Sequence, residues 1–202
     1  MKSNVSTKNP ASATGTFAAI FPEFAPYPDL ILQLCTLLKR HILRPGQLLV
    51  TAGDQNDRFY FIASGMVRGV YHNDTDDSTI TSWFETEGGY VAIPHSYFKN
   101  EPSLESIEAL ETGIAFSVSR ADLQHLQVTN PAMGMVGRAI LVRYMVQMEH
   151  QLRALRMTTA KQRVDYFRVH FPTIYKRAPL RHIASFLSMT PQTLSKIRNI
   201  RE

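Results

Sequence analysis

The residues best suited to recognition chemistry lie near the C-terminal end, in the segment Leu180–Asn199, LRHIASFLSMTPQTLSKIRN. Apolar residues recur where two short helices would clasp each other, and the small Ala184 stands at their crossing. The clasp positions are Ile183, Leu187, Met189, Leu194 and Ile197. Thr190 is suited to N-cap the second helix, and Pro191 to occupy its first turn. The pattern predicts a helix-turn-helix, although Ser188 stands where the tight turn usually holds glycine.

The second helix of this motif has a polar outer face. With Leu194 and Ile197 turned inward, a period of about 3.6 residues directs Gln192, Ser195, Lys196 and Asn199 outward. Gln and Asn can pair bidentately with adenine, and Lys with O6 and N7 of guanine. Phosphate contacts, which position without specifying, are predicted for the flanking Thr193, Arg198, Arg181 and His182. These residues predict double-stranded DNA as a partner; the alternative is an ordinary helical hairpin with a polar surface.

The charge is unevenly divided along the 202-residue chain, whose net charge is +5. Residues 1–132 hold 9 Lys and Arg against 14 Asp and Glu, a net −5. Residues 133–202 hold 13 Lys and Arg against 3 Asp and Glu, a net +10. This asymmetry indicates that the C-terminal segment meets a polyanion, with nucleic acid ahead of an anionic membrane surface. A solvated basic face without a partner is the alternative.

A long helix is predicted from Pro131 to Arg156, since proline is tolerated in a first helical turn. Apolar residues repeat along it at the spacing of a coiled-coil seam, namely Leu141, Met145, Met148, Leu152 and Leu155. A second apolar stripe on another face holds Met133, Val136, Ile140 and Tyr144. A helix with two apolar stripes packs on two sides, here its own β domain and a partner subunit. We therefore expect a homodimer; the alternative is a core helix of a monomer.

Between Ile42 and Val118 the chain consists of short β-like runs separated by turn signals, which is typical of an antiparallel roll or barrel. The predicted fold class is α+β, with an N-terminal antiparallel β-roll, a long dimerisation helix and a C-terminal helical helix-turn-helix domain. The predicted divisions are a flexible tail over 1–16, the roll over 17–130, the helix over 131–156 and the helix-turn-helix domain over 157–202.

Composition narrows the function classes. The single cysteine, Cys35, cannot form an internal disulfide or a cysteine-ligated cluster, and no apolar run is long enough to span a membrane. We expect a cytoplasmic protein without a membrane segment. The polar run that holds Asp74, Asp76, Ser78 and Glu85 partly matches a calcium loop, but a solvated hairpin turn is favoured. The histidines are scattered along the chain, and no serine-nucleophile motif occurs. We therefore expect neither a bound metal ion nor enzymatic activity. A metal site assembled in space within the roll is the remaining enzymatic alternative.

The order of roll, long helix and helix-turn-helix resembles the Crp/Fnr family of bacterial transcription regulators. Within the roll the resemblance rests on LRPGQLLVTAGD (43–54) and FYFIASGMVRGVY (59–71), whose turn glycines match the cyclic-nucleotide-binding roll. It also rests on NEPSLESIEALE (100–111) and RHIASFLSMTPQTLSKIR (181–198), which look particularly like the branch found in Bacteroidetes. The resemblance implies a homodimer that binds DNA and acts with RNA polymerase.

The phosphate cassette departs from this family. Nucleotide-binding members place a carboxylate and an arginine there, to hold the ribose hydroxyl and the phosphate. The matching positions are Ala92-Ile93 and Ser103-Leu104, and no arginine lies between Gly69 and Ser119. We expect no cAMP binding and no cofactor. The candidate pocket for an unidentified small-molecule effector comprises Tyr90, Ala92, Ile93, Tyr97, Ser103 and Leu104. The alternatives are that the aromatic side chains belong to the core of the roll and that the roll binds no ligand.

The sequence therefore predicts a homodimeric, sequence-specific DNA-binding transcription regulator. The alternative function is a ligand-sensing β-roll protein that acts through protein partners, with its helix-turn-helix as the docking surface.

Overall fold

The computed structural model describes residues 10–73 and 78–199. Helix α1 (Pro10–Ile20), a 3₁₀ turn (Pro22–Phe24) and helix α2 (Pro28–Leu37) precede the roll. Helix α1 thus begins within the segment 1–16, for which a flexible tail was predicted, and residues 1–9 lie outside the described residues. Helix α1 is held by packing against a distant part of the chain. The rings of Phe17 in α1 and of Phe21 just after it lie with centroids 5.9 and 5.4 Å from the ring of Phe61.

The roll consists of two antiparallel sheets with the strand orders β1-β8-β3-β6 and β2-β7-β4-β5. The strands are β1 (Lys39–Leu43), β2 (Leu48–Val50), β3 (Arg58–Ser64), β4 (Met66–Asn73), β5 (Ser78–Thr86), β6 (Tyr90–Val91), β7 (Ser106–Ala109) and β8 (Gly113–Ser119). A short helix, α3 (Pro94–Lys99), interrupts the strand sequence after β6. The antiparallel roll predicted from the turn signals is confirmed.

Strand alternation gives the first sheet two different apolar faces. Tyr60 and Ile62 of β3 lie inside the roll, in one cluster with Val91 and Ile93. Phe61 of β3 and Tyr90 of β6 point the other way, into a cluster with the helices that cover the outside of this sheet. Neighbouring residues of one strand therefore belong to different cores.

Two helices follow the roll. Helix α4 (Arg120–Thr129) is N-capped by Ser119, whose Oγ accepts from the Asp122 amide at 3.1 Å. Helix α5 (Pro131–Arg156) has the predicted bounds, with Asn130 as its N-cap. Of the second apolar stripe, Met133, Val136 and Ile140 are buried against the first sheet and α4. None of the described helices is long and apolar enough to cross a bilayer.

The C-terminal region holds α6 (Ala160–His170), α7 (Pro172–Arg177), α8 (Leu180–Phe186) and α9 (Pro191–Asn199). It packs on the second sheet, because Met66 and Phe84 of the roll lie in its apolar cluster. Polar contacts add to this docking. The Thr81 amide donates to Ser185 Oγ at 3.0 Å, and Arg177 pairs with Glu87 and Glu111.

Candidate nucleic-acid interface

Helices α8 and α9 form the predicted clasp. Ile183, Ala184, Leu187 and Leu194 are fully buried in one cluster, while Met189 and Ile197 pack against it half-buried. The Met189 amide donates to the Ala184 carbonyl at 3.0 Å and closes the turn. Thr190 caps α9, since its Oγ1 accepts from the Thr193 amide at 3.1 Å.

The outer face of α9 presents the predicted side chains. Gln192, Lys196 and Asn199 are exposed, and Ser195 and Thr193 are half-buried. Within the described ranges no side chain pairs with Gln192, Lys196 or Asn199, whereas the Thr193 hydroxyl shares a hydrogen bond of 2.9 Å with Thr190. The exposed amides and ammonium therefore have the chemistry needed for base edges in a major groove.

Arg198 is engaged elsewhere and does not suit the predicted phosphate contact. Its Nη2 donates to the Tyr175 carbonyl at 2.8 Å, and its guanidinium lies 4.2 Å from the centre of the Tyr175 ring. These contacts tie α9 to α7. The guanidinium holds α9 against α7, a role that local sequence periodicity does not reveal.

His182 also departs from its predicted role as a phosphate contact. It is 7% exposed on the side of α8 that faces the roll, and it accepts from Arg181 Nε at 3.3 Å. Burial, together with the positive charges of Arg68 and Arg181, lowers the pKa of His182 to about 4, against a smaller opposing effect of Glu108. The imidazole is neutral at pH 7. Arg181 is exposed, and its contact with phosphate stays a prediction.

The buried His182 predicts acid sensitivity. Its folded pKa of about 4 lies below the ordinary 6.5, so the unfolded chain binds the proton first. The effect is small above pH 7, grows as the pH falls from about 7 toward 4 and is constant below that. Between pH 7 and 5 it lowers the free energy of unfolding by about 2 kcal/mol. Urea titrations at both pH values should show this loss in the wild type and a smaller one in His182→Gln; equal losses would contradict it.

The turn between α8 and α9 contains a strained residue. Ser188 has φ of +51°, in the left-handed region that disfavours residues with a Cβ. Ser188→Gly is expected to raise the free energy of unfolding by about 0.5–1 kcal/mol, after the greater freedom of glycine in the unfolded chain is subtracted. Urea unfolding measures this, with Ser188→Ala as the control that gains nothing. A destabilised glycine variant would contradict this account of the turn.

The interior of the roll is filled at the positions where the resembled family holds a nucleotide. Ile93 is buried among the apolar side chains of the interior. The Trp83 ring lies over Gly69, where a Cβ would collide with it, and Trp83 Nε1 donates to Glu105 Oε1 at 2.8 Å. Ser103 Oγ donates to the Glu105 carbonyl at 2.6 Å, and Leu104 is 64% exposed.

A cavity of about 520 Å³ lies instead on the outer face of the first sheet, against α4 and α5. Of the predicted pocket residues, Tyr90, Ala92 and Tyr97 line it, whereas Ile93, Ser103 and Leu104 do not. The prediction of one pocket from all six is therefore wrong: Ala92 and Ile93 follow β6, and these two neighbours face opposite sides of the first sheet. Two glycines inside the long helix, Gly134 and Gly137, line this cavity. They are the feature of the sequence that could have indicated it.

A network of polar side chains closes one end of the cavity. The Tyr90 hydroxyl donates to Glu23 Oε2 at 2.6 Å, and Arg143 pairs with Glu23 Oε1 at 3.1 Å. Burial raises the pKa of Glu85, which accepts from Gln147 Nε2 at 3.0 Å. Burial also raises the pKa of Tyr97, to about 12, so its hydroxyl stays protonated at neutral pH.

The predicted dimer seam is open to solvent along α5. Leu141, Met145, Leu152 and Leu155 are 40–62% exposed, and Met148 is half-buried. Val142 and Val146 extend the same apolar surface. The described part of the chain provides no element that covers these side chains.

A metal site finds no support among the described residues, where no group of three or more His, Cys, Asp or Glu side chains could hold an ion. Asp74 and Asp76 of the calcium-loop match lie outside the described residues.

Comparisons with known proteins agree with this architecture. Residues 40–130 match the cyclic nucleotide-binding domain family. No curated protein sequence is significantly similar to the chain. FixK2 from Bradyrhizobium japonicum has a similar structure, with a TM-score of 0.67 and 18% identity over 81% of this chain and 83% of that one. CLP, a c-di-GMP-responsive global regulator of Xanthomonas campestris, gives a TM-score of 0.66 and 14% identity over 85% and 90%.

A CRP-family transcriptional regulator from Thermus thermophilus gives a TM-score of 0.64 and 16% identity, covering 80% of this chain and 83% of that one. Residues 40–130 hold nearly all of the two sheets of the roll. The long helix and the C-terminal helix-turn-helix follow this segment. Residues 40–130 are therefore similar to a cyclic nucleotide-binding domain, and the chain shares its fold with these solved regulator structures.

Proposed function

We propose that the protein is a homodimeric, sequence-specific DNA-binding regulator of transcription that acts in the cytoplasm. The observation that carries this proposal is the capped helix α9, whose outer face holds Gln192, Lys196 and Asn199 without competing partners among the described residues. A helix presented in this way fits the major groove, where amide and ammonium groups distinguish base pairs. The net +10 of residues 133–202 supports attraction to the DNA backbone.

The exposed seam of α5 supports the dimer. Large apolar side chains in a continuous surface patch mark interaction sites, and a heptad spacing favours a second copy of the same helix. A two-fold arrangement would set two copies of α9 in successive major grooves, roughly 34 Å apart. The operator is therefore expected to be a two-fold-symmetric sequence.

The roll of this regulator is proposed to act without cAMP. A cyclic nucleotide needs a cationic partner for its phosphate, and Ser103 and Leu104 offer none. The apolar side chains of Trp83 and Ile93 lie inside the roll, where the nucleotide of the resembled family would bind. A contact with RNA polymerase is part of the proposal only through the family resemblance.

The test is selection from a random duplex library by the full-length protein at two salt concentrations. A two-fold-symmetric motif that survives the higher salt is expected, because base contacts persist where phosphate attraction is screened. Retention only at low salt and without a motif would contradict sequence specificity. No retention at either salt would favour action through protein partners.

A further inference from the structure

The cavity on the outer face of the first sheet is separate from the filled roll interior. Its roll side is built from aromatic side chains, including Phe59, Tyr97 and Phe98, and its helical side from Leu123, Met133 and Ile140. At about 520 Å³ it lies within the range of small-molecule sites, roughly 300–1,000 Å³. These aromatic and aliphatic side chains suit the hydrocarbon part of a ligand rather than a sugar.

The glycines of α5 create part of this space. Gly134 and Gly137 line the cavity from within α5. In a helix interior glycine is less stable than alanine, so both glycines lower the stability of this helix. Apart from chain neighbours and the backbone of α5 itself, no described atom lies within 4 Å of the position that a Cβ would take at Gly134, and at Gly137 Gln127 Nε2 alone does, at 3.9 Å. Neither glycine is required by close packing within the described chain, and what their missing side chains leave is open volume.

Three arginines and one glutamate, Glu85, line the cavity. Arg138 is exposed and has no partner among the described residues. Arg120 donates to two neutral oxygens, the Tyr97 carbonyl at 2.7 Å and Asn100 Oδ1 at 3.1 Å, and has no ion-pair partner among the described residues. Arg143, by contrast, already has Glu23 as its carboxylate partner. A carboxylate is the simplest group that pairs with a guanidinium group that has no ion-pair partner.

We propose that this cavity binds a hydrophobic monocarboxylate, with its hydrocarbon part among the aromatic and aliphatic side chains and its carboxylate at Arg120 and Arg138. Leu141 lines the cavity and also belongs to the exposed seam of α5. A ligand bound in the cavity would therefore contact the helix that forms the proposed dimer interface. A role for the ligand as an effector rests on the proposed function. Binding itself does not, and it is measured without DNA.

Calorimetric titration of the full chain with decanoate, decanol and decylammonium tests the chemical class. Decanoate is expected to bind with a stoichiometry of one per protomer and at least about tenfold more tightly than decylammonium, whose charge has the wrong sign. Absence of decanoate binding up to millimolar concentration, or equal binding of the two ions, would overturn the proposal.

Two variants test the location. Gly137→Leu fills the cavity and is expected to weaken decanoate binding at least about tenfold, while the thermal midpoint without ligand stays the same or rises. Arg138→Gln is expected to weaken decanoate about tenfold but to leave decanol unchanged. Arg40→Gln, an exposed arginine on β1 outside the cavity, is the matched control and should bind decanoate like the wild type. Unaltered decanoate binding by both Gly137→Leu and Arg138→Gln would place the ligand elsewhere and overturn the assignment.

Discussion

Replacing Gln192, Lys196 and Asn199 together by alanine is expected to reduce the affinity for the selected duplex at least about 10³-fold, to the level of random DNA. Each side chain can discriminate between base pairs by about 1–3 kcal/mol, and a dimer makes every contact twice. All three are exposed on α9 and unpaired within the described chain, so the fold should survive. Fluorescence anisotropy with the selected duplex and with a scrambled one measures both affinities.

The control for this variant must separate lost charge from lost contacts. Lys39→Ala removes one positive charge per protomer from an exposed position on β1, as Lys196→Ala does from α9, and should leave the selected motif unchanged. The single variant Lys196→Ala should relax the preference at one base of each half-site. Undiminished discrimination by the triple variant, with unchanged thermal unfolding, would show that α9 does not read the sequence.

The helix-turn-helix was predictable because its signals are local. The apolar clasp, the Thr190 cap and the outward face of α9 all follow from spacings within twenty residues, and the structure reproduces them. The roles of His182 and Arg198 were not predictable in the same way. His182 is buried against the roll near Arg68, and Arg198 contacts Tyr175 of another helix, so distant packing overrides their local suitability for phosphate.

The cavity shows a second limit of sequence reasoning. Matching consecutive positions to a family motif grouped Ala92 with Ile93, yet neighbouring residues in an extended segment face opposite sides. Ala92 lines the outer cavity and Ile93 fills the interior. The N-terminal helix was missed for a related reason, because residues 10–16 carry little apolar periodicity and Phe17 is anchored by Phe61, far along the chain.

Introducing glutamate at both Met145 and Leu152 is expected to convert the proposed dimer to a monomer. Both side chains are more than half exposed in the single chain, at 62% and 51%, so the substitutions should not disturb its core. Across a two-fold seam, each glutamate would face its counterpart, and like charges would replace apolar contacts. Sedimentation velocity at several protein concentrations measures the change in mass.

The same double variant connects assembly to DNA binding. Two linked recognition helices bind a symmetric operator with the advantage of a high effective concentration, which is about 10²–10⁴-fold. We expect the monomer to lose affinity for the operator by about this factor, while its weaker binding to an isolated half-site stays close to that of the wild type.

The matched control carries the same change in charge away from the seam. Leu104→Glu with Val128→Glu replaces two apolar side chains that are 64% and 85% exposed on the roll and on α4. This variant should stay dimeric and keep its operator affinity, because neither side chain lies on the exposed stripe of α5. A dimer that persists in the Met145→Glu, Leu152→Glu variant would instead mean that the two copies associate through another surface. The two-fold operator would then have a spacing set by that surface rather than by α5.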